Sequence, residues 1–134
     1  EIALAQKYQR PLIMHAVKAD EILRPLLSAL PAKTIFHSFT GSAEWGTELQ
    51  KHGFYLGLNF SILRKKNYEN LLRRLNIRQL LLETDGPYQS GHKNLPSLPQ
   101  NLPLLAEKIS AVFNLTTKDF SEIIAANWHT FKGE

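Results

Sequence analysis

The sequence predicts an α/β fold built on a parallel sheet. Short apolar runs alternate with amphipathic stretches along the whole chain, the order that gives strand–helix–strand units. The runs are continuously apolar, as strands are when both faces are covered. Several of them also end abruptly in a polar residue, which marks where each strand meets a loop.

Residues 1–10 read as a helix with Ile2, Ala5 and Tyr8 along one side, and Pro11 breaks it. Leu12-Ile13-Met14 is a buried-strand run ending in His15, and residues 18–30 place Ile22, Leu23, Leu26, Leu27 and Leu30 at helical spacing. A second strand, Thr34-Ile35-Phe36, ends in His37. Gly41 and Ser42 open a helix that runs to about His52 and stops at Gly53. Residues 54–58 form a third strand, and 66–75 carry Tyr68, Leu71, Leu72 and Leu75 on one helical stripe. A fourth strand, 79–82, runs into Glu83-Thr84-Asp85-Gly86-Pro87. A loop over 86–103 follows, rich in Gly, Pro, Ser and Asn, and then a helix over 104–113. Thr116 and Asp119 form the capping box of a last helix, with Leu115 and Phe120 placed as its hydrophobic staple. The expected order is α-β-α-β-α-β-α-β-α-α in a single domain over residues 1–134, with no internal boundary and no sequence repeat.

A content of 43% hydrophobic and 21% charged residues places the 134-residue chain among globular units. The longest apolar run, Leu80-Leu81-Leu82, ends at Glu83, far short of the roughly 20 residues a membrane span needs. With no cysteine, disulfides, thiolate catalysis and cysteine-type zinc sites are excluded, and a cytoplasmic location is the expectation. A net charge of +4 favours polyanionic partners by steering.

His15, His37 and Asp85 each follow an apolar strand run. In parallel α/β folds, ligands bind beyond the carboxyl ends of the strands. Two imidazoles and a carboxylate are a partial set for a divalent ion. Each residue alone also has a structural reading: a lone strand-end histidine is more often a satisfied structural residue, and Asp85 before Gly86-Pro87 can shape a turn. It is their recurrence at successive strand ends that points to a site. His52, His92 and His129 lack such placement and are expected at the surface.

Phe36-His37-Ser38-Phe39-Thr40-Gly41-Ser42 resembles the F-H-C-F-S-G-S signature of TatD-type metal-dependent hydrolases. Leu81-Leu82-Glu83-Thr84-Asp85-Gly86-Pro87-Tyr88 is similar to that family's L-L-E-T-D-S/A-P-Y, and Pro11-Leu12-Ile13-Met14-His15 to its P-V-I-I-H strand. The strand start Gly53-Phe54-Tyr55 and the ending Asn127 to Phe131 fit as well. The similarity runs, in order, over nearly the whole chain.

The resemblance implies a (βα)8 TIM barrel of the amidohydrolase superfamily, of which this chain corresponds to strands five to eight, the C-terminal half. It implies a deoxyribonuclease acting on DNA, single-stranded or at 3′ ends, with two divalent ions (Mg, Mn or Zn). His15, His37 and Asp85 would face the metals, and Asp85 would be catalytic. The family's H-x-H on strand one and Glu on strand four are not in this sequence, so an N-terminal half is expected to be missing and the chain alone to be inactive. A truncated piece, part of a larger chain, or a half that pairs with another chain would each account for that.

Val17 stands where the family has Arg, with Lys18 beside it. The family's N-E-P corresponds to Asn94-Leu95-Pro96 or to Ser97-Leu98-Pro99. Lys18, Ser38, Tyr88 and Arg64 are candidate substrate contacts: Lys18 for its charge, Arg64 for its place after the third strand, Tyr88 for stacking on a base. Ser38 and Thr40 are expected to orient His37. Glu83 has a catalytic and a structural reading, and Arg73-Arg74 reads as a solvated helix face. Trp45 and Trp128, on helices, are expected to be packing residues. A hydrolase of another ester, amide or phosphate on the same scaffold, or a non-catalytic interaction module, are the alternatives.

Overall fold

The computed structural model describes residues 1–89 and 97–133. Four strands, β1 (Leu12–His15), β2 (Thr34–His37), β3 (Tyr55–Leu58) and β4 (Leu80–Leu82), lie side by side in sequence order, all parallel. The helices are α1 (Ile2–Lys7), α2 (Asp20–Leu23), α3 (Ala43–Lys51), α4 (Tyr68–Arg73), α5 (Leu102–Val112) and α6 (Thr117–Lys132). The alternation read from the apolar runs is therefore the architecture of the described residues.

Side chains alternate between the two faces of a strand, and here the two faces differ in chemistry. Leu12, Phe36, Leu56, Leu58 and Leu80 turn toward the helices and join Leu49, Phe54, Leu72, Leu105, Ile109 and Phe120 in the main core. The opposite face carries Ile13, Ile35, Tyr55 and Leu81. Ile35 and Leu81 form a second, small cluster with Phe131 of α6, against which Tyr55 packs. The cover is partial: Ile13 is 68% exposed. Burial holds the Tyr55 hydroxyl above its ordinary pKa. An open hollow of about 1090 Å³ runs over this face, lined by Ile13, Ile35, Leu81, Trp128 and Phe131 and reaching Glu83.

α6 is fixed to the sheet by Asn127, which is buried and donates from Nδ2 to the carbonyls of Ile77 and Leu80, each at 2.8 Å. Its amino end closes as expected: the Thr116 hydroxyl accepts the Asp119 amide at 3.1 Å, Phe120 is fully buried, and Leu115 packs against the same core.

Several local expectations are corrected. Residues 18–30 are not one helix: α2 passes into a 3-10 segment, Arg24–Ala29, because Pro25 has no amide hydrogen and its ring crowds the preceding turn. Tyr8 lies outside the first helix, which ends at Lys7, and is 60% exposed. The stretch 66–75 shortens to α4, preceded by a 3-10 turn, Phe60–Arg64, capped by Asn59. The helix expected from 104 starts at Leu102, with Pro103 in its first turn, where a missing amide hydrogen costs nothing. Trp45 is buried as expected. Trp128 is 46% exposed, stacked on Phe131 at the rim of the hollow, with centroids 5.9 Å apart. No helix among the described residues is long and apolar enough to cross a membrane.

Candidate metal centre at the strand ends

The register of the sheet decides which strand-end side chains can meet. His15 pairs with His37, and Gly57 with Leu81. By alternation His15, His37 and Gly57 share the face of Ile13, Ile35 and Tyr55, away from the main core. The two imidazoles are adjacent, with ring centroids 5.6 Å apart. Asp85 comes to the same place from the loop after β4, its Oδ1 3.3 Å from His37 Nε2.

The other nitrogen of His37, Nδ1, lies 2.8 Å from Glu83 Oε2. The second oxygen of Glu83, Oε1, accepts the Ser38 amide at 2.6 Å and faces Asn59 Nδ2 at 3.5 Å. Asn59 Nδ2 also donates to the Ser38 hydroxyl at 3.0 Å, and that hydroxyl donates to Gln89 Oε1 at 2.9 Å. Gln89 Nε2 donates to Asp85 Oδ2 at 2.7 Å. The contacts close a ring through His37, Glu83, Asn59, Ser38, Gln89 and Asp85. Asn59 is held from outside the ring, because its Oδ1 accepts the Ser61 amide and hydroxyl at 2.9 and 2.5 Å.

The backbone is bent at these positions. Lys18, Ser38, Asp85 and Gln89 all have positive φ, between 51° and 56°. Non-glycine residues in this region cost of order 1 kcal/mol each and are held there by their surroundings. The Asp85 loop is tied back by Ser97, whose hydroxyl donates to the Thr84 carbonyl at 2.7 Å and whose amide donates to that of Pro87 at 3.0 Å. A side chain at Gly86 would collide with the Ser97 carbonyl, so only glycine fits there.

A smaller cavity, about 280 Å³, opens beside His37 and is lined by Lys18, Thr40, Ser42, Trp45 and Lys65. Lys65 Nζ donates to the Thr40 carbonyl at 3.0 Å. Of the consecutive basic residues Arg64, Lys65 and Lys66 after β3, it is Lys65 that borders this cavity; Arg64 ends the 3-10 turn and is exposed. Arg74 pairs with Glu44 at 2.5 Å and Arg73 with Glu69 at 3.5 Å, so this pair serves the helix surface. Tyr88 is 73% exposed.

Of the residues singled out from sequence, His15, His37 and Asp85 are brought together. Ser38 is beside them, Lys18 lies across the small cavity, and Tyr88 and Arg64 stand at the exposed margin. The carboxylate of Glu83, not the hydroxyls of Ser38 and Thr40, holds His37; the Ser38 hydroxyl is used by Asn59 and Gln89. His92 and Asn94-Leu95-Pro96 lie outside the described residues. His52 is exposed and stacks on Phe54, and His129 is exposed. Asn59 and Gln89 were not anticipated, and Ser97 was anticipated only as one of two places for the family's N-E-P. Asn59 carries a legible signal, since it directly follows a strand as His15 and His37 end theirs. Gln89 has none.

The donor set is that of a hard or borderline divalent cation, and a histidine whose second nitrogen is bound by a carboxylate is the usual form of a metal-ligating imidazole. The set is partial: among the described residues no three His, Asp or Glu side chains close into a group able to hold an ion.

A family model described as TatD related DNase matches residues 1–132. The deoxyribonuclease Tat-D of Schizosaccharomyces pombe is 27% identical, over 95% of this chain and 51% of its own length. The uncharacterized metal-dependent hydrolase YabD of Bacillus subtilis is 30% identical, over 95% of this chain and 52% of its own. The crystal structure of YJJV, a TatD homologue from Escherichia coli, superposes with a TM-score of 0.88 at 22% identity, covering 97% of this chain and 52% of that one. The chain thus spans about half the length of the curated relatives it matches.

Proposed function

Because this chain belongs to the family of TatD-related DNases, we propose that it is the C-terminal half of a (βα)8 barrel that hydrolyses phosphodiester bonds in DNA, with His15, His37 and Asp85 facing two divalent ions. The observation that carries this is the convergence at the strand ends. His15 and His37 are register partners, and Asp85 arrives from a third strand end to within 3.3 Å of His37. That relatives are named metal-dependent hydrolases supports a metal at such a donor set. Single-stranded or 3′-terminal DNA as substrate, and Mg, Mn or Zn as the metal, belong to the same reading.

Divalent ions bound there would lower the pKa of the attacking water and offset charge on the phosphoryl oxygens. The chain's own residues have distinct tasks. His37 has Nδ1 engaged by Glu83, which leaves Nε2 as its ligating atom. Asp85, held by Gln89 through Oδ2, keeps Oδ1 for a ligand or for the proton of the attacking water. Lys18 and Lys65, bordering the cavity beside His37, place positive charge where a phosphate would lie. Tyr88 offers a ring for a base to stack on, and Arg64 a cation at the rim.

The test is release of mononucleotides from single-stranded DNA by the full-length protein with Mg²⁺ or Mn²⁺. Release that stops on addition of EDTA is the expected result. Intact DNA alongside metal-dependent turnover of a small ester or amide would overturn the assignment.

A further inference from the structure

Glu83 meets three residues of the site, His37, Ser38 and Asn59, and the chemistry proposed above uses it only as the partner of His37 Nδ1. Its two oxygens do different things. Oε2 meets His37 Nδ1 at 2.8 Å, while Oε1 takes the Ser38 amide at 2.6 Å and faces Asn59 Nδ2 at 3.5 Å. A carboxylate anchored by a backbone amide cannot swing away, so its other oxygen is presented in one place. An ionised carboxylate only accepts hydrogen bonds. The His37 nitrogen against it therefore carries the hydrogen, and Nε2 is left on the side of Asp85. The contact to Asp85 is longer, at 3.3 Å, so the Glu83 side is the committed one.

The fold makes room for this arrangement. Glu83 leans over Gly57, where a Cβ would stand 2.5 Å from Oε2 and 2.8 Å from the carboxyl carbon. The only side chain compatible with a carboxylate at that spot is none at all. Glycine is at this strand position, with ordinary extended backbone, because another group occupies the space its side chain would take.

We infer that Glu83 is the positioning residue of the centre: it fixes the tautomer and orientation of His37 so that Nε2, and not Nδ1, is offered to a metal. This rests on the metal-site reading above only for the identity of what Nε2 receives. Outer partners of this kind typically alter metal affinity 10- to 100-fold, roughly, when removed.

The experiment reads the tautomer directly. In the full-length protein, metal-free and in mildly alkaline solution, long-range ¹⁵N–¹H correlation spectra of His37 are expected to show hydrogen on Nδ1 alone. Glu83→Gln keeps the shape and retains an oxygen for the Ser38 amide, so the fold should survive with an unchanged melting temperature. The new amide nitrogen then donates to Nδ1, so His37 should carry its hydrogen on Nε2, and affinity for Zn²⁺, read by competition with a chelating dye, should fall about 10- to 100-fold. Gly57→Ala removes the hold on Nδ1 by another route, displacing the carboxylate without altering its chemistry. A merely structural Glu83 predicts unchanged tautomer populations in both variants; that result, or hydrogen on Nε2 in the wild type, overturns the inference. Hydrogen on Nδ1 in a protein that binds no Zn²⁺ supports the positioning role and overturns the proposed metal centre instead.

Discussion

Asp85→Asn in the full-length protein is expected to lower turnover of DNA at least about a hundredfold, the scale of a lost acid–base group, while DNA binding changes little. That fold-change corresponds to about 2.7 kcal/mol of transition-state stabilisation. The substitution is a clean one for structural reasons. Asp85 has φ 55°, a left-handed backbone that Asn adopts at least as readily. The amide keeps one oxygen to accept from Gln89 Nε2, which now holds Asp85 Oδ2 at 2.7 Å. It has no anionic oxygen to bind a cation or take a proton beside His37 Nε2. Fold and loop should persist, as read by an unchanged melting temperature, and the chemistry should not. Wild-type steady-state rates in the variant would remove Asp85 from the mechanism.

The second large effect concerns completeness of the donor set. The 134 residues alone are expected to release no nucleotide from DNA in the presence of Mg²⁺ or Mn²⁺. Catalytic zinc sites take three protein ligands per ion, a dinuclear centre needs donors for two ions, and no group of three is assembled among the described residues. The sheet face that carries His15 and His37 is also the incompletely covered one, with Ile13 68% exposed and β1 and β4 ending the described sheet. Activity should appear when a polypeptide that supplies the remaining donors and covers this face is present. EDTA-sensitive turnover by the 134 residues in isolation would show that they assemble a working centre without it.

Much of this was legible in the residues. The strands could be read because short apolar runs such as Leu80-Leu81-Leu82 lack helical spacing and lie between amphipathic stretches, and their polar terminators marked the ends of β1, β2 and β4. Which terminators meet is a matter of register, and register lies in the pairing of His15 with His37, which no single strand reveals. Glu83 was undecided in sequence because two-residue alternation past the end of β4 places it on the face opposite Thr84 but does not say what it meets there. The answer is Gly57, whose missing side chain makes the space. Gln89 was invisible, and Ser97 appeared only as one of two places for a family motif, because their roles follow from loop geometry: φ 56° at Gln89, and the return of Ser97 to the Thr84 carbonyl. Trp128 packs on one side only, because it stacks on Phe131 while the hollow beside it leaves it 46% exposed.

The central claim is that residues 15, 37 and 85 look into one metal-binding pocket. An anomalous-difference map of the full-length protein crystallised with Zn²⁺ tests it most directly. The account predicts density within roughly 2.0–2.2 Å of imidazole nitrogens of His15 and His37 and of a carboxylate oxygen of Asp85. Density bound by other side chains, with these three left unligated, would contradict it.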